Sequence, residues 1–157
     1  MFLKLEGIER ANFMFIGEYR HTIDSKRRVA IPAKFRRDLG SNVVITRGLD
    51  KSLLVYPLEI WKGLAEKLAA LPIGRSTTRS FVRLMLAGAV EVEIDRLGRI
   101  LVPDYLAAYA GLDKDLIVAG LYDRLEIWNE DHWERYKQES EKQTGDIAEK
   151  LGEMGVY

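Results

Sequence analysis

The chain has no cysteine. Disulfides, thiolate metal sites and a cysteine nucleophile are thereby excluded, and the composition fits a reducing compartment. Histidine is nearly as scarce. Only His21 and His132 occur, so no Ser/His/Asp or Cys/His catalytic set can be assembled. Neither a P-loop nor a G-x-G-x-x-G run is present, which removes the two glycine-rich phosphate cradles that a sequence can announce. No apolar run approaches the ~20 residues of a membrane-spanning helix. The N-terminus carries Glu6 and Glu9 and lacks a signal-peptide core, so a cytoplasmic protein is expected. What remains is an ordinary globular composition. The 157 residues are 47% hydrophobic and 31% charged, enough to bury a substantial core.

What the chain does have is an internal repeat. Asp24-Ser-Lys-Arg-Arg28-Val-Ala-Ile-Pro32 returns 71 residues later as Asp95-Arg-Leu-Gly-Arg99-Ile-Leu-Val-Pro103. Both runs then reach a glycine, Gly40 and Gly111. Upstream, Phe15-Ile-Gly17 answers Leu86-Ala-Gly88, and Tyr19, His21 and Ile23 answer Val90, Val92 and Ile94. Downstream the offset becomes 72, aligning Val44-Ile-Thr-Arg-Gly48-Leu with Leu116-Ile-Val-Ala-Gly120-Leu. Leu53, Val55 and Tyr56 then match Leu125, Ile127 and Trp128, and Trp61 matches Trp133. The expected organisation is an extension over 1–13, a first unit over 14–56, a helical connector over 57–85, a second unit over 86–128, and a C-terminal helix and tail over 129–157. Met14 stands immediately before the repeat, so residues 1–13 are either a mobile arm or lie upstream of the true translation start.

Residues 17–24 alternate with the period of a half-buried strand. Tyr19, His21 and Ile23 share the apolar face, which assigns His21 to packing rather than to a metal or a reaction. Asp24 to Arg28 reads as a turn, and Val29 to Ile31 as a short strand. Pro32 suits a first helical position, Phe35 and Leu39 share one helical face, and Gly40 stops the helix. Val43–Arg47 and Leu53–Tyr56 read as strands around a turn. Each unit is thus strand, turn, strand, short helix, strand, turn, strand. Helices are expected over 57–70 and 76–87, with Ser76 and Thr77 as caps. The acidic tail is expected to hold a docked helix to about residue 142. A weakly ordered end follows, mobile or packed on a neighbouring subunit.

Net charge is zero, yet the two units have opposite signs. Residues 14–56 hold nine Lys/Arg against four acids; residues 86–128 hold four against eight. The units act as controls for each other: shared features build the fold, and unshared ones serve a partner. Shared are Asp24 with Arg28 and Asp95 with Arg99, read as clamps on their turns, since Asp accepts backbone N–H groups and Arg holds carboxylates. Unshared are Arg20, Lys26, Arg27, Lys34, Arg36 and Arg37. Together with Arg28 they form a candidate polyanion surface, because clustered cations neutralise phosphates and arginine also reads guanine. A basic unit beside an acidic one favours head-to-tail contacts that close into a ring.

At these residues the chain resembles the MraZ family of bacterial transcriptional regulators. Met14-Phe-Ile-Gly-Glu-Tyr-Arg-His-Thr-Ile-Asp-Ser-Lys-Arg-Arg-Val-Ala-Ile-Pro-Ala-Lys-Phe-Arg37 is similar to that family's start. So is Phe81-Val-Arg-Leu-Met-Leu-Ala-Gly-Ala-Val-Glu-Val-Glu-Ile-Asp-Arg-Leu-Gly-Arg-Ile-Leu-Val-Pro103 to its second half. The resemblance covers residues 14 to about 140. It implies an α+β fold of two pseudo-symmetric, swapped-hairpin, AbrB-like β-barrel units with connecting and C-terminal helices. It implies a homo-oligomeric ring, associated with the nucleoid, that binds double-stranded DNA at promoter direct repeats. The family's usual role is repression of the division and cell-wall gene cluster, with the first Asp-x-x-x-Arg region on the DNA; here that is Asp24, Lys26 and Arg28. No cofactor, small-molecule substrate or membrane is implied. One position departs: Arg27 stands where the family usually has glycine, as the second unit does at Gly98. If the turn needs a positive φ there, Arg27 is strained.

Two other readings compete. Asp24 and Asp95 could form an acid–base dyad, but an Arg four residues on from each keeps a carboxylate charged, and the chain is read as not an enzyme. The alternative to DNA regulation is an oligomeric protein-binding scaffold or antitoxin-like module on the same fold, without sequence-specific DNA reading.

Overall fold

Phe15 and Tyr19 of the first strand, and Ile23 just beyond it, share one face and reach one shared core. In the computed structural model, residues 14–156 are described; the expected 1–13 extension lies outside them. The first copy runs β1 (Phe15–Thr22), β2 (Arg28–Ala30), α1 (Ala33–Leu39), β3 (Asn42–Arg47) and β4 (Leu53–Pro57). The connector is α2 (Leu58–Ala69) and α3 (Ser76–Val82), which passes into a π-helical turn, Arg83–Ala87. The second copy repeats the order as β5 (Val90–Glu93), β6 (Arg99–Leu101), α4 (Asp104–Tyr109), β7 (Asp115–Tyr122) and β8 (Leu125–Asn129). Helices α5 (Glu130–Lys142) and α6 (Thr144–Glu153) close the chain.

The hairpins are swapped. One antiparallel sheet runs β1-β7-β8-β4-β3-β5, and β2 pairs with β6 in a separate ribbon. β1 therefore lies on the second copy's β7, and β5 on the first copy's β3. Two pairings mark a pseudo-twofold axis. Val29 faces its own equivalent Ile100 in the ribbon, and Leu54 faces its equivalent Glu126 between β4 and β8. The sheet is open, not closed into two barrels. β1 and β5 are its outer strands, and both copies fill one core between the sheet, the ribbon and the short helices. Phe35 of α1 anchors that core, edge-on to Phe15 and to Tyr19 at 5.4 Å each.

Strand register corrects the sequence alignment in β3 and β7. Val43 pairs with Pro57 and Ile45 with Val55, while Leu116 pairs with Asn129 and Val118 with Ile127. Val43 thus matches Leu116, an offset of 73 rather than the 72 suggested by Gly48 and Gly120. The second copy has two extra residues before this strand and one fewer in the following turn. Side-chain faces agree: Val43, Ile45, Leu116 and Val118 all enter the shared core, whereas Ile117 and Ala119 lie against Trp128 and Trp133. A one-residue slip would have sent each to the opposite face.

Three local expectations also change. Pro32 and Pro103 are N-caps one residue ahead of their helices. Ser76 and Thr77 make no capping bond; Arg79 instead donates to the carbonyls of Ile73 and Gly74. The tail beyond 142, expected as a weakly ordered end, forms α6, whose Thr144 hydroxyl donates back to Glu141 O at 2.8 Å. Outside the core, α2 covers the sheet with Trp61 against Tyr56, and α5 does so with Trp133 against Trp128. These helices are pseudo-symmetric counterparts, as the tryptophan spacing indicates.

The swap depends on close approach at Gly120, which faces Gly17 across the β1–β7 ladder. A Cβ on Gly120 would lie 2.6 Å from both Ile16 N and Phe15 C. Both are main-chain atoms, so the strands themselves would have to part. Gly120→Ala is expected to cost about 1–3 kcal/mol, as overpacking does, measured by urea denaturation. Unchanged stability would mean that β1 does not lie on β7 as described.

Candidate nucleic-acid interface

The turn after β1 is a three-residue hairpin loop with a bulge. Arg27 N donates to Asp24 O at 2.9 Å, and Asp24 N donates to Arg28 O at 3.1 Å. In such a loop the third residue adopts the left-handed region, usually as glycine. Gly98 does so at φ 77, and Arg27 does so at φ 59. The strain expected at Arg27 is therefore present.

Asp24 holds the turn through both oxygens. Oδ1 accepts Lys26 N and Arg28 N, each at 2.9 Å, and Oδ2 accepts Arg28 Nε at 2.7 Å. Asp95 repeats the arrangement: Oδ1 accepts Leu97 N and Arg99 N, and Oδ2 accepts Arg99 Nε, all at 2.9 Å. The shared Asp–Arg pairs are clamps, as their spacing suggested. Backbone hydrogen bonds from Arg28 and Arg99, ahead of their guanidinium groups, hold both carboxyls below the ordinary value of 3.8. Each stays ionised at neutral pH, which suits a clamp and not a proton donor.

The cations singled out from sequence divide into two groups. Lys26 stands exposed at the turn tip, and Lys34 and Arg37 stand exposed three apart on α1. Arg28 keeps a third of its side chain exposed beside Asp24. These four bond to nothing beyond their own turn or helix, Arg37 having only a 3.9 Å contact with Asp38. The other three bond to other parts of the chain, although Arg20 stays largely exposed. Arg20 pairs with Glu130 of α5, on the sheet face that also carries Glu18 bonded to Trp133 and Lys137. Arg27 reaches the second copy, donating through Nε to Val102 O at 3.2 Å and pairing with Asp104 at 3.0 Å. Arg36 donates to Ile31 O at 2.9 Å. His21 lies half-buried on the apolar face; burial first, and Arg36 second, lower its pKa and keep it neutral.

Arg47 is a copy-specific cation that the sequence reading passed over. It lies 5.6 Å from the Tyr105 ring and 5.8 Å from the Tyr109 ring, with Lys51 Nζ 5.0 Å from Tyr109. Its counterpart in register is Gly120, so the contrast between copies could have flagged it. Among the described residues, no three His, Cys, Asp or Glu side chains gather to hold a metal ion. No helix among them is long and apolar enough to cross a membrane.

Comparison with known proteins adds what geometry alone does not. The family model described as "MraZ protein, putative antitoxin-like" matches twice, over residues 14–84 and 85–152. A "Transcriptional regulator MraZ" of Natranaerobius thermophilus is 47% identical over 143 residues, covering 91% of this chain and all of the relative. Proteins of the same description from Caldanaerobacter subterraneus subsp. tengcongensis and Moorella thermoacetica are each 48% identical over the same shares.

The clamps carry a pH dependence. A carboxyl whose pKa is depressed on folding stabilises the fold fully above its unfolded pKa, and that contribution is lost as pH falls through the folded value. Stability measured by chemical denaturation is therefore expected to fall once pH drops below the ordinary carboxyl value of 3.8. Asp24→Asn and Asp95→Asn should each remove part of that slope. A slope unchanged in both variants would show that the clamps contribute nothing to it.

Proposed function

The chain belongs to the MraZ family, and from that membership we propose that it is a DNA-binding transcriptional regulator. In this reading it assembles as a ring and binds direct repeats in a promoter. There it represses the division and cell-wall gene cluster from the cytoplasm, on the nucleoid. The observation that carries the reading is that one scaffold occurs twice and offers exposed cations at different densities. The first copy exposes Lys26 on its turn and Lys34 and Arg37 on its helix; the equivalents on the second copy are Leu97, Tyr105 and Ala108. Three phosphate-neutralising charges on one copy suit a polyanion. The unit over 14–56 is then the DNA-facing one, and the acidic unit over 86–128 faces a neighbouring subunit.

Arg28 has the chemistry to read sequence. Asp24 takes its Nε and fixes the plane of the guanidinium, leaving the outer edge of the fork for a guanine. Lys34 and Arg37 suit phosphates, which set position without reading bases.

Fluorescence-anisotropy titration across a salt series tests the proposal, using the promoter upstream of the gene and a scrambled duplex. The native protein is expected to bind the promoter more tightly, with strong salt dependence. Arg28→Ala should abolish the preference. Lys34→Ala should weaken binding to both duplexes alike and lower the salt slope by about one. Weak, equal binding to both duplexes by the native protein would defeat the regulator reading and leave a protein-binding scaffold.

A further inference from the structure

Two carbonyls at the junction between the copies are treated alike. Val102 N donates to Arg27 O at 2.9 Å, and Ile31 N donates to Gly98 O at 2.8 Å. Ile31 and Val102 are equivalent positions of the repeat, as are Arg27 and Gly98, so these are one bond made twice. The carbonyls of Val102 and Ile31 then each accept a guanidinium Nε, from Arg27 at 3.2 Å and from Arg36 at 2.9 Å. Here the symmetry of the chain breaks while the symmetry of the contact persists. At Ile31 the guanidinium comes from helix α1, and the turn opposite carries Gly98. At Val102 it comes from the turn, and the helix position equivalent to Arg36 is Ala107.

Space explains the exchange. A Cβ on Gly98 would lie 2.2 Å from Arg36 Nε and 2.4 Å from its Cζ. A side chain on the turn would force the helix arginine to swing out of the slot. One slot holds glycine with a helix arginine; the other holds a turn arginine with Ala107, which is buried. The left-handed Arg27 is then explained. It supplies from the turn the guanidinium that the helix does not, and Asp104 adds an ion pair at 3.0 Å.

We propose that Arg27 and Arg36 are positioning residues that fill two equivalent slots between the copies, and that Arg27 holds the first turn where Lys26 and Arg28 meet DNA rather than contacting phosphate itself. The DNA part rests on the reading of the chain as a regulator; the slots do not. If they are equivalent, the guanidinium at Val102 can be moved from turn to helix. The first test is a thermal-denaturation cycle of Arg27→Gly, Ala107→Arg and the double variant. Ala107→Arg alone should lower Tm, because two arginines compete for one slot. Adding Arg27→Gly should raise Tm by more in the Ala107→Arg background than it changes Tm in the native chain, where relief of the turn's strain also acts. Additive effects would overturn the slots. Should Ala107→Arg alone fail to fold, recovery of folding in the double variant is the expected result, and failure of both would count equally against the proposal.

The second test is the salt series on Arg27→Ala. Weakening of promoter binding by about threefold with an unchanged salt slope is expected, the scale of a surface ion pair and its neighbour. A slope lower by about one, as a lost phosphate contact gives, would overturn the positioning role, and so would unchanged affinity. Absence of salt-dependent promoter binding by the native protein would instead defeat the regulator reading and with it the turn-positioning role. The Tm cycle would still decide the slots.

Discussion

Each copy's outer strand has its sheet partner in the other copy, and the rest of the structure depends on that. β1 has no strand of its own copy beside it in the sheet; it lies on β7, and β5 lies on β3. A single unit would present unpaired strand edges and half a core, which proteins avoid by covering or pairing them. Two copies thus complete one sheet and one core, and are not two domains joined by a linker. It also fixes the axis. Val29–Ile100 and Leu54–Glu126 are pairs of equivalent residues that must face each other. A shared core in turn leaves each copy's outer surface free to diverge, which is how a basic face and an acidic face can stand on one scaffold.

The two halves are filled by different means. β1 is eight residues long and passes over Gly120; β5 is four residues long and begins after a π-helical turn. In the second half, backbone occupies the space beside the glycine. In the first, the equivalent position is Arg47, whose guanidinium donates to Leu84 O and lies near Tyr105 and Tyr109. A strand in one half and a cation among aromatic rings in the other solve the same packing problem. A cation within about 6 Å of a ring centroid is attracted by its quadrupole, so Arg47 belongs to the joint between the copies more than to its charged surface.

Much of this was legible in the sequence because it is local. The alternation of Tyr19, His21 and Ile23 gave a strand and its buried face. The Asp-x-x-x-Arg spacing gave a clamp, since an aspartate can reach amides two and four residues on. The left-handed third residue followed from comparing Arg27 with Gly98. The register of β3 and β7 was not legible. Gly48 and Gly120 invited an alignment, but glycine identity carries no information about which face of a strand is buried; the alternation of Val43 and Ile45 with Leu116 and Val118 does. Nor could the sequence divide the cations. Arginine spans a long reach, and its partner is set by what the fold brings near: Glu130 for Arg20, 110 residues away, and Val102 for Arg27, 75 residues away. Lys26, Lys34 and Arg37 look no different in the sequence from the arginines that are engaged.

The clamp explains why the side chains of the turn can vary. Asp24 Oδ1 bonds the main-chain amides of residues 26 and 28, and Asp95 Oδ1 those of 97 and 99. The turn's shape is therefore held by one side chain acting on backbone, together with the arginine that completes the clamp. The residues between them contribute amides but no required side chains, apart from the left-handed third position. Ser25-Lys26 in one copy and Arg96-Leu97 in the other place their one cation at different positions while the backbone stays the same. At the third position, where a side chain does matter, the choice is coupled to the facing helix: arginine with alanine, or glycine with arginine. Freedom at two positions and coupling at one let the duplicated turns carry different side chains without loosening the joint that both copies need.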